Sequence, residues 1–160
     1  MKSISELISL TEKRALITGS ATGIGCAIAY RFVEAGAALE LVDINDEGLK
    51  VVKEELSQFD LEINLHNVDL SKKEDIDSLW EKLTRKELDI LVNNAGVYPF
   101  QDFLEGDEPF LEKILGINLN SVCWMCQNFI KRQLKTGGVI INVGSIEAIL
   151  PFEKDLTIIL

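Results

Sequence analysis

The sequence predicts an α/β fold built on a parallel sheet, and three observations carry that prediction. Five short apolar runs, RALIT, ALELVD, LEINLH, LDILVN and GVIINV, are rich in Val, Ile and Leu and alternate poorly. That is the pattern of strands covered on both faces. Longer segments of helical period separate the runs, and strand–helix alternation implies parallel strands joined by right-handed crossovers. The first run leads through TGSATGIG directly into a helical segment, a strand–turn–helix setting of the kind that wraps phosphates. No internal repeat, low-complexity tract or linker interrupts residues 1–160, so one domain is expected.

The elements follow in order. RALIT (14–18) is the first strand, and residues 23–35 form a helix that starts at glycine and stops before Gly36. ALELVD (38–43) is the second strand. The helix over 46–58 opens with Asp46 and Glu47, acids that suit the positive end of a helix dipole. LEINLH (61–66) is the third strand, with His66 as a strand residue. In SKKEDIDSLWEKL, Ser71 as N-cap and Glu74 three residues on predict a capping box. Trp80 shares that helix's apolar stripe with Ile76, Leu79 and Leu83 and is expected in the core. LDILVN (88–93) is the fourth strand. One long helix over about 107–135 is capped by Asp107, carries Pro109 in its first turn and ends at Gly137 and Gly138. GVIINV (138–143) is the fifth strand.

Composition narrows the function. The 160 residues are 47% hydrophobic and 26% charged, as in ordinary globular proteins. A net charge of −10 argues against a nucleic-acid partner, because an acidic surface repels phosphate backbones. SISELISL is broken by Glu6 and does not read as a secretory signal. No apolar stretch approaches the ~20 residues that span a bilayer. Cys26, Cys123 and Cys126 are too few for a disulfide framework, and a reducing cytoplasm is expected. Cys123 and Cys126 lie mid-helix, where packing is the expected role. The single histidine, His66, excludes a histidine-rich metal site, and no metal is expected.

The candidate site begins at Gly19, Gly23 and Gly25. Glycines there let the chain turn sharply and approach a pyrophosphate resting on the N–H groups of the helix start. Asp43 tips the second strand, where a carboxylate accepts hydrogen bonds from the adenosine ribose hydroxyls. A 2′-phosphate beside it meets repulsion of up to ~4 kcal/mol per charge pair at an effective dielectric near 20. Thr22 supplies no compensating cation, so NAD is expected over NADP.

TGSATGIG, the NNAG of Asn93, Asn94, Ala95 and Gly96, Asn118 in GINLNS and Ser145 in IINVGS together resemble the short-chain dehydrogenase/reductase family. The resemblance covers essentially the whole chain. It implies a Rossmann-like doubly wound sheet, truncated after the fifth strand, with strand order 3-2-1-4-5. Gly19, Ser20, Ala21, Thr22, Gly23, Ile24 and Gly25 are expected around the pyrophosphate, and Asp43 at the ribose. Asp69 and Leu70 are expected beside the adenine. Asn94, Ala95 and Gly96 are expected along the cofactor, with Asn93 bracing the central strands. Asn118 resembles the asparagine that bends its helix and holds a water, and Ser145 the serine that hydrogen-bonds the substrate oxygen.

The resemblance also implies a catalytic tyrosine with a lysine four residues on, and no Y-x-x-x-K occurs in the sequence. The tyrosines are Tyr30 and Tyr98, and the lysine after Ser145 is Lys154. The chain is therefore expected to be inactive alone. The closing LTIIL is read as an out-of-frame continuation, which sequencing the gene past codon 160 tests. The expected activity is NAD-dependent hydride transfer between a small-molecule alcohol and a ketone. The alternatives are a non-catalytic dinucleotide-binding module and a gene remnant. A homo-oligomer is implied for the intact family. An open fifth strand, beside which one face lacks a helix, predicts an association-prone product. Tyr98, Pro99 and Phe100 suggest an apolar wall for the substrate.

Overall fold

The computed structural model describes residues 3–83, 87–99 and 105–146. Phe100, Lys154 and the LTIIL segment lie outside the described residues. The five strands are β1 (Arg14–Thr18), β2 (Ala38–Asp43), β3 (Ile63–Asn67), β4 (Ile90–Asn93) and β5 (Val139–Asn142). They form one sheet in the order β3-β2-β1-β4-β5, and every pairing is parallel. The helices are α1 (Ile4–Ile8), α2 (Gly23–Glu34), α3 (Asp46–Leu56), α4 (Lys73–Lys82), α5 (Glu108–Leu115) and α6 (Ser121–Gln133).

Alternation along each strand divides the core in two. Ala15, Ile17, Leu39, Leu41, Ile90 and Val92 face α2 and α3, packing on Ala29, Val33, Leu49 and Val52. Leu16, Val42 and Leu91 face the opposite layer, where Ile76, Leu79 and Trp80 of α4 meet Met125 and Phe129 of α6. This is the doubly wound arrangement that right-handed crossovers impose.

Several local expectations change. The Ser71–Glu74 capping box does not form: α4 starts after Lys72 with no side-chain cap. Ser71 Oγ instead donates to Asp69 Oδ1 at 2.6 Å. A capping box does form at α1, where Ser3 accepts from Glu6 N and Glu6 accepts from Ser3 N. The long helix is not continuous. A π-helical turn, Gly116–Asn120, separates α5 from α6, and Ser121 N donates to Gly116 O across it. Such turns bend helices and often mark functional positions. At the start of α5, Asp107 caps Phe110 N at 3.0 Å and Pro109 occupies the first turn.

One buried charge was not foreseen. Glu40, in the middle of β2, has no exposed surface. Its Oε1 pairs with Arg14 at 2.7 Å and accepts from Asn64 at 3.1 Å, while its Oε2 lies 2.6 Å from His66 Nε2.

Candidate functional site

The carboxyl ends of the strands open where the order reverses, between β1 and β4, which is where doubly wound sheets hold ligands. β1 delivers Thr18 and then Gly19, whose φ of +65° lies in the left-handed region. A Cβ on Gly19 would stand 2.8 Å from Ala95 Cα. A Cβ on Gly25 would collide with the Gly19 carbonyl. Only bare backbone lets the loop and the first turn of α2 approach β4 this closely.

The start of α2 is electrically open. Its N-cap, Thr22, makes no side-chain capping hydrogen bond, and no acid lies in the first turn. The first N–H groups of a helix have no intrahelical partner, so a phosphate finds both donors and a favourable dipole there. By contrast α3 is capped by Asn45, which accepts from Gly48 N, and has Asp46 and Glu47 in its first turn.

Asp43 is fixed rather than loose. Its Oδ2 accepts from Ala21 N at 3.0 Å and its Oδ1 from Asn45 N at 2.9 Å. The carboxylate therefore stands beside the glycine loop with lone pairs to spare. Ser20 is buried beneath, its hydroxyl donating to Val42 O at 3.2 Å, which ties the loop to β2.

On the β4 side, Thr18 is the hub that the sequence reading missed. Its Oγ1 accepts from Asn94 N and Ala95 N, each at 3.0 Å, and donates to Val92 O at 3.3 Å. Asn94 Nδ2 returns the link by donating to Thr18 O at 3.0 Å and Gly19 O at 3.1 Å. The signal was present, since Thr18 opens TGSATGIG; its role needed β4 in place. Asp69 Oδ1 accepts from Ser71 N and Oγ, and Lys72 lies 3.2 Å from its Oδ2. The Ser71 hydroxyl, more than the burial that opposes it, settles the direction: the Asp69 carboxyl is held below its ordinary range.

These elements enclose a cavity of about 390 Å³. Gly19, Thr22, Gly23, Ile24, Asp43, Asp69, Leu70, Asn94, Ala95 and Gly96 line it, with Ile44, Val68, Val97 and Ile117. No lysine or arginine is in that lining among the described residues. Ser20, Ala21, Gly25 and Asn93 are not among its lining residues. The cradle fits a dinucleotide: a bare-backbone turn, an uncapped helix start and a fixed carboxylate follow one another along it.

Asn118 and Ser145 stand apart from that lining. Asn118 lies in the π turn, where its Oδ1 accepts from Val97 N at 2.9 Å and its Nδ2 donates to Val97 O at 3.0 Å. Its side chain thus clamps the chain just beyond Gly96. Asn118 thus sits inside the π turn itself, a kind of turn that bends helices. Ser145 follows β5 and is exposed.

Residues 13–155 match the family described as short chain dehydrogenase. The chain belongs to the short-chain dehydrogenase family. It is 34% identical over 145 residues to 3beta-hydroxysteroid dehydrogenase 2 of Eggerthella lenta, covering 88% of this chain and 56% of that protein. It is 31% identical over 157 residues to the NAD-dependent glycerol dehydrogenase of Listeria innocua, covering 96% and 60% respectively. The chain thus spans somewhat over half the length of these relatives.

Among solved structures, a 7 alpha-hydroxysteroid dehydrogenase complexed with NADH and 7-oxo glycochenodeoxycholic acid superposes with a TM-score of 0.88 at 28% identity. That match covers 98% of this chain and 62% of the other. L-sorbose reductase from Gluconobacter frateurii, complexed with NADPH, also gives 0.88, at 27% identity and over 94% and 59%. Among the described residues, no helix is long and apolar enough to cross a membrane.

Proposed function

We propose that this chain forms the dinucleotide-holding part of an enzyme that moves hydride between NAD(H) and a small-molecule alcohol or ketone. The observation that carries the reading is Asp43, pinned by Ala21 N and Asn45 N at the rim of a cavity whose described lining has no cation. A carboxylate held there accepts from ribose hydroxyls and repels a 2′-phosphate. Since the solved relatives include complexes with NADH and with NADPH, family membership leaves the cofactor open, and Asp43 supports NAD.

The bound nicotinamide would supply or take up the hydride. The chain's own residues do the holding. The glycine-loop amides meet the pyrophosphate, residues 94–96 run along the cofactor, and Asp69 and Leu70 flank the adenine. Ser145 orients the substrate oxygen, and Asn118 shapes the helix beside the reacting end. With no Y-x-x-x-K in the sequence, these residues alone lack the general acid/base, whose absence costs ~10²–10⁴ in rate. The 160-residue chain thus binds cofactor without useful turnover. The reading includes a cytoplasmic setting and self-association through the open β5 edge.

Titration calorimetry tests it. NADH is expected to bind at least ~10-fold more tightly than NADPH, about 1.4 kcal/mol, and Asp43→Ala to close most of that gap. Equal affinities overturn the cofactor preference, and no binding of either overturns the reading.

A further inference from the structure

The strip expected along the cofactor, residues 94–96, is held at both ends by the same long helical segment. Beyond Gly96, Asn118 grips both the N–H and the C=O of Val97. Before Asn94, Asn93 Nδ2 donates to Cys126 Sγ at 3.3 Å and to Asn142 Oδ1 at 2.8 Å. Asn93 is 4% exposed. Its Oδ1 is buried without a hydrogen-bond partner among the described residues, so the amide's polar hold runs through Nδ2 alone.

The spacing matches. From Asn118 to Cys126 is eight helical residues, about 12 Å at ~1.5 Å each. From Val97 back to Asn93 is four residues, which reach at most about 13 Å at ~3.3 Å each. The later helix residue meets the earlier strand residue, as two antiparallel segments require. The strip is therefore held at both ends from the segment that runs from the π turn into α6, in addition to its anchorage on β1 through Thr18 Oγ1.

We infer that Cys126 is a positioning residue: its sulfur accepts from Asn93 and its thiol donates to Asn142 Oδ1 at 4.0 Å, so that it fixes the amino end of the 94–96 strip and the end of β5 that leads to Ser145. Asn142 pairs in register with Asn93 and stands three residues before Ser145. Burial pushes the Cys126 thiol pKa up, against the opposing Asn93 hydrogen bond. Cys123, one turn earlier, is exposed and serves as the control. The inference rests on residues 94–96 being the cofactor edge.

The test compares Cys126→Thr with Cys126→Val in the full chain. The two side chains share a shape and differ in the hydroxyl. The valine variant is expected to bind NADH about fivefold more weakly than the threonine variant. Its backbone amide resonances from Asn94 to Gly96 should be displaced, while those of the threonine variant and of Cys123→Ala stay near the parent's. A role in packing alone would give the Thr and Val variants the same affinity and the same resonances, and that result overturns the inference. If the valine variant does not fold, Cys126→Ala against Cys126→Ser gives the same comparison. If the parent chain does not bind NADH, the proposed function fails, while the amide resonances still decide whether the sulfur positions the strip.

Discussion

β1 and β5 are written in nearly the same letters and live in different surroundings. RALIT is buried from Ala15 to Thr18, whereas in VIIN only Ile140 is half-covered and Val139, Ile141 and Asn142 are exposed. β1 lies between β2 and β4 with helices on both faces. Among the described residues β5 pairs in the sheet with β4 alone, and its Val139 and Ile141 continue the α2/α3 face past the last described helix covering it, while Ile140 packs on the α4/α6 layer. Composition thus records what a strand is made to be buried against. Burial itself depends on what its neighbours supply.

The largest expected effect separates the two strands directly. Leu16→Ala in β1, at a site with no exposure, should cost about 3 kcal/mol. Ile141→Ala, at a site 40% exposed, should cost under ~1 kcal/mol. Urea melts that gave equal losses would break the comparison.

Glycines sharpen it next. Gly19 and Gly137 both have positive φ, at +65° and +75°, and alanine strains each by about 1 kcal/mol. Only Gly19 also faces Ala95 at close range; around Gly137 nothing lies within 4 Å of an added Cβ. Gly19→Ala should therefore weaken NADH binding at least ~10-fold, and Gly137→Ala should leave it unchanged. Equal effects on titration would deny the loop its role.

A smaller effect concerns the self-association proposed at β5, which among the described residues pairs with β4 alone. Ile141→Lys places a charge where two chains would pair. It should lower light scattering at high protein concentration while moving the thermal midpoint little. Unchanged scattering would mean that self-association, if present, uses another surface.

The smallest effect is acid sensitivity, which belongs to carboxylates beyond β3 and before β4. Asp69 and Asp89 are both held below the ordinary carboxylate range. For Asp69 the Ser71 hydroxyl is the chief cause; for Asp89 burial pushes up, but Lys13 and the Arg14 amide outweigh it. A depressed folded-state pKa gives stability that is complete above the unfolded value near ~4 and is lost as pH falls through the folded one. Ser71→Ala should reduce this acid-dependent loss, read as a shallower fall of midpoint with pH below about 4. An unchanged slope would remove Ser71 as the cause.

Much of this was legible. β1 and β2 begin and end where the apolar runs do, and Gly19, Gly23, Asp43 and residues 94–96 line one cavity. The rest depended on tertiary partners. β3 and β4 each start two residues later than their apolar runs, because the ladder begins opposite Leu39 and Ala15. Ser71 looked like a cap until Asp69 took its hydroxyl. The π turn at Asn118 leaves no periodic signature strong enough to split one apolar stripe in two. Glu40 carries no local sign of its fate, since Arg14, Asn64 and His66 come from other strands.

That carboxylate has a consequence for how the chain finds its order. Sliding β2 by a single residue would swing Glu40 into the layer of Ala29, Val33 and Leu49, away from its cation, and an uncompensated ion in such a place costs several kcal/mol. Apolar strands of similar composition are otherwise nearly interchangeable. One misfit letter, tolerable in a single alignment, makes the wrong alignments self-rejecting.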